Sequence, residues 1–212
     1  VTGAFGTSRE INLNGASSGI DVTQGNTFTM NSAFTFSTAT NALRKNDLGT
    51  LVLTQAQPGW DGVLTINQGV LRITDGAALG STTGNLILAN VGASLELPGG
   101  ITVADDIRIA STNNSSSNGP NASGAIHSTS GTNTITGTIT IDTTTTDNNS
   151  RAGTLVADLG STLDITGGIV LGVGTTGTNR DNWVGFGGEG TINLTTTGIT
   201  HTGNLGADGI AT

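Results

Sequence analysis

The sequence predicts an all-β chain wound as a parallel β-helix, a solenoid of about seven coils without significant helix. Three observations carry that expectation. Short segments alternate apolar and polar residues, which is the strand period: Leu51-Val52-Leu53, Val63-Leu64-Thr65-Ile66 and Val70-Leu71-Arg72-Ile73. Their apolar centres recur mostly at steps of six to nine residues. Three such steps make one coil of roughly 20–30 residues, the length of a solenoid repeat. The composition also fits, with 34 Gly for tight corners, 39 β-branched Thr that favour strands, no Tyr and only 10% charged residues.

The first centres fall near Ile11, Ile20, Phe28, Phe34 and Leu43. Each is an apolar residue set among polar or small residues, as a half-buried strand requires. Leu51, Leu64, Leu71, Leu86, Leu95, Ile101 and Ile107 follow, separated by Gly-, Asn-, Asp- or Pro-containing turns. The third group is Ile126, Ile135, Ile139, Leu155, Leu163 and Ile169, and the last is Val184, Ile192, Ile199 and Leu205. At about 4.8 Å per coil these centres give a rod roughly 35 Å long. No stretch sustains apolar spacing of three and four, and Lys, Glu and Gln are scarce, so helix is not expected. A sandwich or jelly roll would show longer strands, more aromatics and fewer glycines. The whole chain, 1–212, reads as one solenoid domain, expected to be a segment of a longer secreted protein.

Two polar stretches break the rhythm: 111–124 (STNNSSSNGPNASG) and 142–150 (DTTTTDNNS). About one coil separates them, so both are expected to leave one corner. They read either as inert solvated loops or as a lobe on a binding face. Asn114 and Asn121 in the first are candidate contacts for a carbohydrate or partner.

The clearest repeat is 41–80, NALRKNDLGTLVLTQAQPGWDGVLTINQGVLRITDGAALG. It resembles the autotransporter-associated β-strand repeat over about forty residues. Lys45, Gly49, Leu51, Leu53, Gly62, Thr65, Gly69, Leu71, Leu79 and Gly80 fall on the positions of that motif. The resemblance implies a right-handed parallel β-helix of the passenger type found in bacterial surface proteins. It also implies that the repeat itself carries no activity.

Composition narrows the function further. Without Cys there is no disulfide scaffold, thiolate metal site or Cys nucleophile. The net charge of −8 and seven scattered basic residues disfavour nucleic acid. No apolar run approaches the length of a membrane helix. The adjacent acids Asp105-Asp106 lie two residues before Arg108, without the further carboxylates that a polysaccharide-cutting site needs. They read as surface turn residues. His127 and His201 read as solvent-facing strand residues, although serines and aspartates are plentiful enough for a nucleophile site. No RTX nonapeptide or EF-hand loop occurs, and the Gly185–Gly190 run reads as a corner. No catalytic, cofactor-binding or metal-ligating residue is therefore expected.

Trp60 and Trp183 both sit in turn-like settings, PGWDG and RDNWVGF. Each ring either covers the edge of the core or stacks on a sugar face. A solenoid's ends expose unpaired strand edges, and neither terminus offers a helical, Pro-rich or Lys-rich block. Ile11 and Leu205 mark the candidate assembly ends. The partners expected are a second copy or flanking coils of the parent chain, with a polysaccharide or cell-surface ligand also possible. The expected role is a non-enzymatic stalk, adhesin passenger or filament subunit at a bacterial surface or outside the cell. The alternative is a polysaccharide-binding or polysaccharide-cleaving module of the tail-spike or lyase type.

Overall fold

The structure, a computed structural model, describes residues 3–110, 124–141, 152–172, 182–195 and 197–201. Asn114, Asn121 and Leu205 lie outside the described residues, as do nearly all of 111–124 and the whole of 142–150. Twenty-two strands and no helix occur among the described residues.

The first coil runs through β1 (Ala4–Thr7), β2 (Ile11–Leu13) and β3 (Ser17–Asp21). The second repeats the path with β4 (Thr27–Met30), β5 (Phe34–Phe36) and β6 (Ala42–Asn46). The third and fourth have two strands each: β7 (Thr50–Leu53) with β8 (Leu64–Ile66), and β9 (Gly69–Ile73) with β10 (Asn85–Leu88). Three-stranded coils then return. The fifth is β11 (Ala93–Leu97), β12 (Thr102–Val103) and β13 (Asp106–Ile109). The sixth is β14 (Ile126–Ser128), β15 (Thr132–Ile135) and β16 (Ile139–Ile141). The seventh is β17 (Ala152–Ala157), β18 (Thr162–Ile165) and β19 (Ile169–Leu171), and the eighth β20 (Trp183–Gly187), β21 (Thr191–Leu194) and β22 (Ile199–His201).

These strands stack into an all-β parallel solenoid. One eight-stranded sheet is ordered β1-β4-β7-β9-β11-β14-β17-β20, and a second runs from β3 through β6, β8, β10, β13, β16 and β19 to β22. The third side is divided into β2-β5 and β12-β15-β18-β21. Every pairing is parallel. Eight strands in each long sheet make eight coils, one more than the spacing suggests. The difference has two causes. Ala4–Thr7 is a strand although Gly3 and Gly6 obscure its alternation, and the third side of coils three and four is irregular.

The core is a set of columns running along the rod. In the first sheet Phe5, Phe28, Leu51, Leu71, Leu95, Ile126, Leu155 and Phe186 lie in register. From Leu51 to Leu155 every member is fully buried. In the second sheet Leu43, Leu64, Leu86, Ile107, Ile139 and Ile169 form an equivalent buried column. Strand alternation makes this possible, because every second residue of each short strand faces the same way and meets its counterpart one coil on.

Two glycines of the 41–80 segment show why the coils close so tightly there. Gly69 has a φ of 75°, and a Cβ on it would lie 2.5 Å from the carbonyl oxygens of Asp47 and Gly49. A Cβ on Gly62 would collide with the Asn41 carbonyl and the Trp60 indole. Both positions need glycine because two main chains meet at a corner.

Candidate functional site

Sequence reasoning points first to the ends of the rod. Among the described residues β1, β2 and β3 are edge strands at one end, and β20, β21 and β22 at the other. An edge strand carries a row of main-chain groups with no partner on its outer side. Ile11 lies in β2, on this first edge, and is half-buried. The core columns also open here. Phe5 is 58% exposed and stacks on Phe28 with ring centroids 4.9 Å apart and planes 24° from parallel. Phe186 is 46% and Ile199 47% exposed at the opposite end. Three of the four large hydrophobic side chains exposed among the described residues are therefore at the two ends; the fourth, Leu159, lies in the seventh coil. Phe5 and Phe186 were not singled out from sequence, although each is the in-register continuation of a leucine column.

The two tryptophans separate. Trp60 is fully buried on the strandless third side of the third coil. Its indole N–H donates to the Asn41 carbonyl at 2.7 Å, and its ring meets Phe34 edge-on at 5.5 Å. It fills the place of a strand, so it is not a surface platform for a sugar. Trp183 opens β20 and is half-buried, in register with Ala152.

Asp105 is not a surface turn residue. Burial alternates through Ile101, Val103, Asp105, Ile107 and Ile109, which all face inward, while Thr102 and Asp106 are exposed. Burial pushes the Asp105 carboxyl up to about 6; a hydrogen bond from its own main-chain N–H opposes the shift and the neighbouring Asp106 adds to it. Asp106 accepts the Thr138 N–H at 2.8 Å, and no ion pair joins it to Arg108. Adjacent strand residues face opposite ways, so the two carboxylates do not converge. Asp105 contributes instead to an open cleft with Asp75, Gly76, Ser81, Thr82 and Thr102. The Asp75 carboxylate there is engaged by the Ala77 N–H at 2.8 Å.

The two histidines differ: His127 keeps to the outward face, as expected, whereas His201 turns inward. His127 lies on the outer side of the first sheet, where Nε2 meets the Asp158 carboxylate at 2.8 Å. It extends a register row with Arg72 and Glu96, themselves paired at 2.7 Å. No serine hydroxyl bonds to His127 among the described residues, so the row is a ladder of polar side chains along the rod. His201 stands in an inward column after Ile141 and Leu171, and its Nδ1 is buried without a hydrogen-bond partner. It lies two positions after Ile199, which puts both on one face, whereas His127 directly follows Ile126 and so faces the other way.

Lys45 is the least expected member of the core. It stands between Ile20 and Ile66 in the second sheet and is fully buried. Its ammonium donates to the carbonyls of Asn46 (2.8 Å), Asp47 and Gln68 (3.0 Å). All three donors are used at the corner between the second and third coils. Burial lowers its pKa to about 8, against the opposing pull of Asp47 and then Asp21. Asn133 works similarly: its amide donates to the carbonyls of Leu97 and Ser130 and to the Ser128 hydroxyl, and its oxygen accepts the Ile101 N–H. Polar side chains inside this rod satisfy corner carbonyls, some of which, such as Asp47 and Gln68, gain no main-chain donor of their own among the described residues, while Asn46 and Leu97 also accept one from a neighbouring coil.

No protein-family model matches the chain, nor does any curated protein or solved structure. Among the described residues no group of three or more His, Cys, Asp or Glu side chains is placed to hold a metal ion. Among the described residues no helix is long and apolar enough to cross a membrane.

Proposed function

We propose that this chain is a non-enzymatic rod of a bacterial extracellular or cell-surface protein, serving as stalk, adhesin passenger or filament subunit through end-to-end strand contacts. The observation that carries this reading is the eight-membered column from Phe5 to Phe186, continuous through the rod and open at both ends. Exposed strand edges and exposed core side chains are both features to which further strands can add. The likeness of 41–80 to the autotransporter-associated repeat supports the placement at a bacterial surface.

The test is immunogold electron microscopy of intact producing cells with antibodies to the chain. Labelled projections or shed fibres are expected. Labelling confined to the cytoplasm of sectioned cells would overturn the placement.

A further inference from the structure

The two end coils are versions of one coil. Read from the column phenylalanine, the first coil is Phe5-Gly6, four residues, then Ile11-Asn12-Leu13. The eighth is Phe186-Gly187, four residues, then Ile192-Asn193-Leu194. This Phe-Gly-x4-Ile-Asn-Leu pattern occurs nowhere else in the chain. The likeness extends to the geometry of the turns. Ser18 and Ile199 share one column of the second sheet. From Phe5 to Ile11 to Ser18 the steps are six and seven residues, and from Phe186 to Ile192 to Ile199 they are again six and seven. The sixth coil, by contrast, takes seven and six from Ile126 through Asn133 to Ile139.

We propose that the partner of each end is a second copy of this chain, its first coil stacked in register beneath the eighth coil of the copy before it. The proposal rests on the end-to-end reading above and adds the partner's identity, polarity and register. In this arrangement β20 pairs with β1, β21 with β2 and β22 with β3, all parallel, as in the interior of the rod. Phe186 lands on Phe5, which already stacks on Phe28, so the column accepts phenylalanine on phenylalanine. Ile192 and Leu194 cover Ile11 and Leu13, Asn193 lies beside Asn12, and Ile199 covers Ser18.

Charge agrees with this polarity. Exposed Arg9 and exposed Glu189 occupy the same corner, between the first sheet and the third side, on opposite ends of the rod. Head-to-tail stacking brings Arg9 and Glu189 together, with exposed Glu10 beside Arg9 at the same corner. A head-to-head pair related by a two-fold axis reverses the strand direction and mismatches the six-then-seven steps. The head-to-tail contact does not close on itself, so it propagates as a filament. Eight rungs at about 4.8 Å set an axial repeat of about 38 Å.

Cross-linking tests the register directly, because the chain has no cysteine of its own. Asn12 and Asn193 are both exposed on strands, so Asn12→Cys and Asn193→Cys should leave the fold intact. Mixed and mildly oxidised, the two variants should form a covalent heterodimer at least ~10-fold faster than either alone, since directly opposed strand positions lie within disulfide reach. Asn12→Cys with Asp164→Cys is the control: Asp164 pairs with Asn193 one rung further in, which puts it beyond that reach from Asn12. Equal rates for both pairs, or faster homodimers, would overturn the register. Light scattering of the unmodified chain distinguishes the two levels. Monomers at millimolar concentration, with no heterodimer, refute the second copy but leave a stalk whose ends meet other coils of the parent chain. Filaments that cross-link elsewhere refute only the register. Phe186→Lys should weaken association at least ~10-fold by placing a charge in the junction, with strand circular dichroism unchanged; unaltered association would also count against the proposal.

Discussion

The Lys45 ammonium and the Gln68 carbonyl, 3.0 Å apart, join the second coil to the third. The bond is a side-chain rivet at the corner just beyond the main-chain bond from Asn67 N–H to Lys45 O, 2.9 Å, which joins the same two coils. Lys45→Met keeps the stem and removes the donors, leaving the Asp47 and Gln68 carbonyls short of a partner, while the Asn46 carbonyl keeps the Val22 N–H. The expected loss is about 3 kcal/mol in denaturant unfolding, and an unchanged midpoint would show that water replaces the ammonium.

The same lysine makes a pH prediction. Its folded pKa is lowered to about 8 from 10.5, so between these values the unfolded chain binds more protons than the folded one. Stability from this group therefore rises with pH across that window, and the cost of burying the charge is fully present below about 8. The difference in unfolding free energy between wild type and Lys45→Met, followed from pH 7.5 to 10.5, should shift in favour of wild type.

Asp105 works in the opposite sense. Its carboxyl is raised to about 6 from 3.8, so the folded chain holds the extra proton between those values and stability falls as pH rises through them. Asp105→Asn removes the charge and nearly keeps the shape. It should raise the melting temperature at pH 7 by roughly 2–4 °C, with the gain vanishing towards pH 4. A gain independent of pH would refute the burial explanation.

Leu71→Asp places an unpaired carboxylate between Leu51 and Leu95 in the middle of the first column. The loss should exceed about 4 kcal/mol, beyond the range of ordinary surface substitutions. Chemical denaturation measures it directly.

Trp60 offers an optical check. In a Trp183→Phe variant the remaining indole is fully buried, so its emission should be blue-shifted and resist acrylamide quenching until the chain unfolds. Trp60→Ala should cost about 3–5 kcal/mol, the usual range for emptying a large aromatic site. A red-shifted, readily quenched Trp60 would mean that the third side is open.

Alternation made most of the fold legible. Of the expected centres on described residues, all lie in strands except Ile101, which directly precedes β12. The rule worked because each strand has one face on a dry core. It failed to reveal Phe5, whose flanking glycines remove the contrast between faces. It also did not anticipate the irregular third side of coils three and four, where Gln57 and Trp60 replace a strand's contacts with side-chain ones: Gln57 Oε1 accepts the Phe34 N–H at 2.6 Å. For Lys45, Asp105 and His201 the parity was readable, since each is two residues from an inward aliphatic. Residue type suggested solvent, and only the corner geometry explains why a charge is tolerated. The kinship of the end coils is visible in the letters, and the columns of the first two sheets show that Phe5 and Phe186, and Ser18 and Ile199, occupy equivalent positions at opposite ends.

The divided third side has a mechanical meaning. Two faces of the rod carry unbroken rows of hydrogen bonds through eight rungs, while the third is cut between β5 and β12. Across that cut the coils are tied by isolated bonds, such as Asp61 N–H to Ala39 O at 2.8 Å and Ser81 N–H to Trp60 O at 2.8 Å. A beam stiffened on two sides and notched on the third bends most easily in one plane. Flexure should then concentrate at coils three and four, opening or closing the side that holds Trp60, and in a filament this compliant joint would return once per subunit.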